Sequence, residues 1–406
     1  MTTCRLVDVA TVDSGAGFPL QHQGIKGESF PFLKVSDMNL VGNERAIRTW
    51  NHSISENVRR TLRAKAFPAG ALIFPKIGAA IGTNKKRLLT QPSCVDNNVM
   101  AVIPKVGLLE SEFLYFLFLA KNLSDFASDS NPPSMRKSDV ENWTIRATPL
   151  PEQRRIVDLL SRAEGIVRLR REAEKKAAEL IPALFNDIFG DPATNPKGWP
   201  IEKLDGLLRS IDSGHSPVCH TRKRLNQEWC VLKLSALTGS EYHESEHKVL
   251  PEEVAPDQTV EVRRGDLLIS RKNTAELVGT AAYVWDTQGK ALLPDLIFRL
   301  NVADSNRLNS VYLWGLLTLP FKRVQIKALA SGSAGSMPNI SKARLKTLDI
   351  EVPPLDRQTA YAQALEQIIS IRSQQFTATA KAQATFDALL ARCFTQPVAV
   401  EGGSSD

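Results

Sequence analysis

Up to residue 150, short β-branched and aromatic runs alternate with Gly/Pro turns, and then the period of the apolar positions changes. Leu72 to Phe74 and Val99 to Ile103 read as strands, with an apolar-rich helix over Glu112 to Leu123 between turns. From Pro151 to Phe189, apolar residues fall at Ile156, Leu159, Ala163, Ile166, Leu169, Ala173, Ala177, Leu180 and Leu184. These steps of three and four predict the seam of a coiled-coil helix. Pro151 with Glu152 suits its start, and Gly190-Asp191-Pro192 its stop. Pro182 predicts a kink or an end near Ile181. Strands over Asp266 to Ser270, Ala281 to Trp285 and Ile297 to Asn301 follow, with a helix over Ser310 to Lys327. A weaker seam closes the pattern at Leu365, Ile369, Phe376, Phe386, Leu390 and Cys393. A helix of about 35 residues extends on the order of 50 Å, and two such rods can pair antiparallel.

The second half echoes the first. Asp13-Ser14-Gly15 recurs as Asp212-Ser213-Gly214, and Leu33-Lys34-Val35-Ser36 as Leu232-Lys233-Leu234-Ser235, both offset by 199 residues. Gly70-Ala71-Leu72-Ile73 matches Gly265-Asp266-Leu267-Leu268-Ile269, Val95-Asp96 matches Pro294-Asp295, and Phe113-Leu114-Tyr115 matches Val311 to Trp314. Pro149-Leu150-Pro151-Glu152-Gln153 reappears as Pro354-Leu355-Asp356-Arg357-Gln358, offset by 205. Shared order and a nearly constant offset point to duplication. The expected architecture is α+β: similar domains over 1–150 and 191–353, each followed by a long helix (151–190 and 354–396), with a polar disordered tail over 397–406. Such a molecule suits a DNA reader with one domain on each half of a split site. A duplication whose helices only stabilise the fold is the plainer alternative.

A length of 406 residues suggests two to four structural units. The net charge of +7 favours a polyanionic partner, nucleic acid first. Thr2, Thr3 and Cys4 lead directly into a polar-interrupted stretch, so no signal peptide is expected. The densest apolar run, Phe113 to Ala120, is far short of the ~20 residues that span a bilayer. Five scattered cysteines without a C-x-x-C predict reduced thiols and a cytoplasmic location.

Two strings bound the first long helix: Pro149-Leu150-Pro151-Glu152-Gln153-Arg154-Arg155-Ile156-Val157 and Leu184-Phe185-Asn186-Asp187-Ile188-Phe189-Gly190-Asp191-Pro192. Together they resemble the central conserved region of specificity subunits of Type I restriction–modification systems. Pro353-Pro354-Leu355-Asp356-Arg357-Gln358 resembles the distal conserved region, and Asn195-Pro196-Lys197-Gly198-Trp199-Pro200 the entry to the second recognition domain. The resemblance spans essentially the whole chain up to Phe394. It implies two target recognition domains reading the halves of a bipartite double-stranded DNA site, with paired helices setting the unread gap. It also implies docking of modification (methyltransferase) subunits, usually two, and of restriction (translocase/nuclease) subunits. On that pattern this chain is non-catalytic and needs no cofactor of its own. S-adenosylmethionine, ATP and magnesium belong to the partners.

Motifs for chemistry are poor. Asn131-Pro132-Pro133 resembles an adenine-methyltransferase motif, but Ser134 stands where a ring should stack on the flipped base. Ser14-Gly15-Ala16-Gly17-Phe18 lacks the strand–loop–helix of a cofactor loop, and no Walker loop is present. Cys230, His243 and His247 suggest three ligands of a zinc finger, yet Cys219 lies eleven residues before Cys230, too far for the fourth. Two other readings stay open, a duplicated protein-interaction scaffold and a stand-alone DNA adenine methyltransferase. Salt-dependent DNA binding separates the first, and S-adenosylmethionine on the isolated chain the second.

Basic loop residues are the DNA-contact candidates. In the first domain these are Lys76, Lys85, Lys86 and Arg87 around the Gly78 to Gly82 loop, with Arg136 and Lys137. In the second they are Arg271 and Lys272, Lys342 and Arg344 after Ser331 to Gly335, and the cluster Arg222, Lys223 and Arg224. Arg136, Arg271 and Arg344 are the candidate base readers, because a guanidinium fork matches guanine O6 and N7. For any one of them the plain alternative is a solvated surface charge.

Overall fold

The structure is a computed structural model and describes residues 3–225, 227–332 and 337–394. Ser333 to Gly335 and the expected tail at 397–406 lie outside the described residues. The chain divides into two compact units. The first joins the chain up to Arg171 to the stretch beginning at Thr377, and the second is Glu172–Phe376. Each unit therefore contains one mixed domain and a part of both long helices.

In the first unit a five-stranded sheet has the order Ala10–Ser14, Val99–Pro104, Leu72–Pro75, Arg87–Leu89, Ala46–Ile47. A smaller sheet orders Ser53–Ile54, Phe30–Leu33 and Cys94–Val95. The helix Ser111–Leu119 buries every residue from Phe113 to Phe118, as a helix apolar on all faces must. Thr3–Arg5 pairs antiparallel with Thr144–Arg146, tying the domain's two ends together just before the long helix.

The second unit repeats this plan. Its sheets run Leu208–Ser213, Ile297–Val302, Leu267–Ser270, Ala281–Tyr283, and His247–Val249, Cys230–Leu232, Ala291–Leu292. Ile201–Lys203 pairs with Asp349–Glu351. The helix expected over Ser310 to Lys327 is two helices, Ser310–Thr318 and Pro320–Ala328. Pro320 disfavours a helical residue before it, and Leu319 is extended with ψ 143.

The long helices are Leu150–Phe189 and Leu355–Phe394. In the first unit Ile156, Leu160 and Val167 share a core with Phe386 and Leu390, so the start of one helix lies by the end of the other. In the second unit Phe185 and Phe189, late in the first helix, meet Tyr361, early in the second, at 5.4 Å between ring centroids. Within each unit the helical segments thus run antiparallel. The expected seam is out of phase: Leu159, Ile166, Leu169 and Leu180 are exposed, as is Phe376. From Ile156 the buried steps are four, three and four, through Ala163, rather than three, four and three. Both registers alternate properly, and packing against the domain selects between them. Pro182 does not end the helix. Its cost of ~3 kcal/mol is offset by burying Phe185 and Phe189, each about 1.5–3 kcal/mol. No helix among the described residues is long and apolar enough to cross a membrane.

One residue fixes each domain to its helix. Gln153 is 1% exposed; its Oε1 accepts from Glu110 N at 2.9 Å, and its Nε2 donates to Leu108 O at 2.8 Å and Thr148 O at 2.7 Å. Gln358 is fully buried and repeats the pattern: Oε1 accepts from Asn309 N at 2.8 Å, and Nε2 donates to Arg307 O at 3.1 Å and Pro353 O at 2.7 Å. Only a side-chain amide offers an acceptor and two donors here, which explains why glutamine ends both copies of the motif. Replacing Gln153 or Gln358 by Leu strands one N–H and two carbonyls, and the loss of stability should be about 3–5 kcal/mol. Urea titration followed by tryptophan fluorescence measures it; a loss below about 1 kcal/mol would mean that water replaces the amide.

Candidate nucleic-acid interface

In each unit three segments meet beside the large sheet. In the first, Gly15 N donates to Val99 O at 3.1 Å, and a Cβ on Gly15 would overlap the carbonyls of Val95 and Asp96, so only glycine fits. Lys76 follows the strand Leu72–Pro75; its N donates to Asn98 O and its O accepts from Met135 N, both at 2.9 Å. Its Nζ reaches Ser14 Oγ at 3.1 Å. Gly78 N donates to Pro133 O at 2.7 Å, drawing in the third segment, which carries Arg136 and Lys137.

The second unit repeats the backbone bonds of Lys76 and Gly78, and its glycine again packs on the neighbouring carbonyls but bonds a different one. Gly214 N donates to Pro294 O at 3.2 Å, and a Cβ there would strike Leu293 O. Arg271 N donates to Leu296 O and Arg271 O accepts from Ile340 N, both at 2.9 Å. Asn273 N donates to Pro338 O at 3.3 Å. Lys76 and Arg271 are therefore structural equivalents.

The structure brings together Lys76, Arg136 and Lys137 in one unit, and Arg271, Lys272, Lys342 and Arg344 in the other. Arg136 and Lys272 are exposed, and among the described residues their cationic groups have no ion-pair or hydrogen-bond partner. Lys137 lies 3.6 Å from Glu141, and Arg344 Nη1 donates to Leu329 O at 3.3 Å. Arg271 is half-buried, with Nε bonded to Asn339 Oδ1 at 3.1 Å. Arg271 and Lys342 both lie 5.6 Å from the Phe298 ring centroid. That platform went unread in the sequence; an aromatic in strand alternation was its only signal.

The run Lys85-Lys86-Arg87 is not one surface patch. Lys86 is 1% exposed, and its Nζ donates to Asn84 Oδ1 at 2.7 Å and Lys121 O at 2.8 Å. Burial pulls its pKa down to about 8. It braces the domain and cannot meet a phosphate, which corrects the sequence expectation for this residue. Arg87 turns onto the carbonyls of Lys86 (2.8 Å) and Met38 (3.1 Å), and Lys85 binds Asn39. In the second domain Arg222 is held by Glu228 at 2.6 Å, and Arg224 by Glu244 at 2.6 Å and Gly289 O at 2.8 Å. Lys223 is exposed. The rings of His243 and His247 engage Thr238 O at 3.1 Å and Glu244 O at 2.7 Å, and His247 Nε2 accepts from Arg224 N at 3.1 Å. Among the described residues, no group of three or more His, Cys, Asp or Glu could hold a metal ion.

Comparison with known proteins places this geometry. The Type I restriction modification DNA specificity domain matches residues 1–179 and 197–382. The Type I restriction enzyme EcoEI specificity subunit of Escherichia coli is 30% identical over 230 residues, 56% of this chain and 38% of that protein. The MjaIX specificity subunit of Methanocaldococcus jannaschii is 25% identical over 233 residues, 52% of each chain. The matched stretches thus span about two-fifths to half of these relatives. The S subunit of a Type I system from M. genitalium has the same fold, with a TM-score of 0.60 at 11% identity, covering 98% of this chain and 96% of that one. A chain from a structure concerning assembly and conformational transition of the type I R-M system gives 0.54 at 21% identity, covering 96% of each. The chain belongs to the Type I restriction–modification DNA specificity family.

Proposed function

We propose that this chain reads a bipartite double-stranded DNA target, one half-site per domain, and directs the methyltransferase and restriction subunits of a Type I restriction–modification complex to it. The supporting observation is the repeated convergence of a glycine turn, a basic strand-end residue and a basic loop, in a chain of a DNA specificity family. Cations near phosphates supply affinity, and the fixed backbone between them holds register for base contacts. The two long helices set the gap between half-sites. Methyl transfer, with S-adenosylmethionine, and ATP- and magnesium-dependent work belong to the partner subunits. The exposed Leu159, Ile166 and Leu169, spaced by seven and three along one helix face, are where a modification subunit docks.

Adenine-methylation mapping of DNA from cells expressing this chain with a modification subunit should reveal one split motif that disappears when this chain is omitted. No bipartite motif with a folded partner present would overturn the reading. At the residue level, Lys272→Ala should weaken binding to all sequences and reduce the salt slope by about 1, while Arg136→Ala should cost ~1–3 kcal/mol on the cognate duplex alone. Lys86→Met should leave the salt slope unchanged. Fluorescence anisotropy across a salt series measures all three, and equal effects of Arg136→Ala on cognate and scrambled DNA would remove its assignment as a reader.

A further inference from the structure

We infer that Leu20 and Val218 are apolar probes, one per domain, that meet the hydrophobic surface of bases in duplex DNA; this rests on the DNA-reading function proposed above. Both side chains stand in solvent, at 85% and 92% exposure. Each is preceded by proline and follows the repeated Ser-Gly turn, as Pro19-Leu20 after Gly15 and Pro217-Val218 after Gly214. Isolated exposed apolar residues are ordinary. Recurrence sets these two apart. Val41 and Val106 are as exposed, at 91% and 101%, yet neither the 198-residue offset that relates Leu20 to Val218 nor the repeat's 199 brings them onto an apolar residue: Val41 falls on Gly239 or Ser240, and Val106 on Asp304 or Ser305.

The tips are firmly held. Phe18 stacks on Phe32 with centroids 3.8 Å apart, and its carbonyl accepts from Gln23 Nε2 at 2.9 Å. Two residues beyond Val218, His220 exchanges backbone hydrogen bonds of 2.9 and 3.0 Å with Val249. A pre-ordered loop loses little entropy on binding. The base of each loop also bonds to the candidate interface. Ser14 Oγ takes Lys76 Nζ at 3.1 Å; Ser216 Oγ donates to the Asp295 carboxylate, and Asp295 O accepts from Arg271 Nη1 at 3.4 Å. Lysine contacts to phosphate carry no sequence information, whereas an apolar tip beside them does. Its target is a thymine methyl in the major groove or the face of a base unstacked as the duplex deforms.

The test uses the complex with its modification subunit and maps adenine methylation for Leu20→Ala, Val218→Ala, and the controls Val41→Ala and Val106→Ala. Leu20→Ala should lower methylation of the cognate motif about 5-fold or more, or relax it at a position in one half-site. Val218→Ala should act on the other half-site, and the controls should match wild type. Uracil in place of thymine reproduces the loss if a methyl is the contact; 2-aminopurine fluorescence that drops in the variant identifies an unstacked base instead. Unchanged motif and extent in both variants would overturn the inference, as would reduced recovery of the modification subunit with DNA binding intact. A wild-type complex that methylates no split motif defeats the DNA-reading function itself, and this inference with it.

Discussion

The buried amide of Gln153, and of Gln358 after it, is the contact on which the molecule depends. Each amide joins the loop before an embedded helix to the segment entering a long helix, so it sets the angle at which a domain leaves its rod. Around this shared lock the surrounding packing differs. In the second unit Gly315 leaves room for the Tyr361 ring, and the equivalent positions in the first are the buried Phe116 and Ile156. Charges differ too. Arg45 in the first domain binds Glu112 and Glu164, whereas Glu241 in the second binds Arg372 at 2.7 Å. The same hydrogen-bond scaffold thus carries large against small and basic against acidic in the two copies.

Positive charge in this protein has two uses. Lys86, Arg87 and Arg224 are spent inside the fold on carbonyls and carboxylates, where they satisfy largely buried polar groups, and exposed Arg222 is held at the surface by Glu228. Arg136, Lys272 and Lys223 project outward. The net charge of +7 alone does not distinguish these roles. Local partners do.

Much of the architecture was legible because duplication supplies an internal comparison. The Gln-ending motif, the Asp-Ser-Gly turn and the strands at Leu72 and Val99 recur in order, and each proves to occupy the same place in its unit. The seam was legible only as a period. Ile156 is common to both registers, and choosing Leu160 over Leu159 requires the position of Phe386, more than two hundred residues away in the chain. Basic runs were legible as charge but not as direction: Lys85, Lys86 and Arg87 are adjacent, yet one is buried among carbonyl and amide oxygens. Side-chain direction follows strand alternation and tertiary partners, which charge counting does not contain.

The first unit is completed by the second long helix. Phe386 and Leu390 complete a core begun by Leu6 and Val12. During synthesis at ~5–20 residues per second, residues 172 to 394 take roughly 10–45 s to follow. For that interval the apolar face of Ile156, Leu160 and Val167 lacks Phe386 and Leu390 of the antiparallel helix, while the second unit, contiguous in sequence, closes on its own. Of the two units, the one whose domain is made earlier matures later, and loss of the last turns of Leu355–Phe394 would unmake the first unit rather than the second.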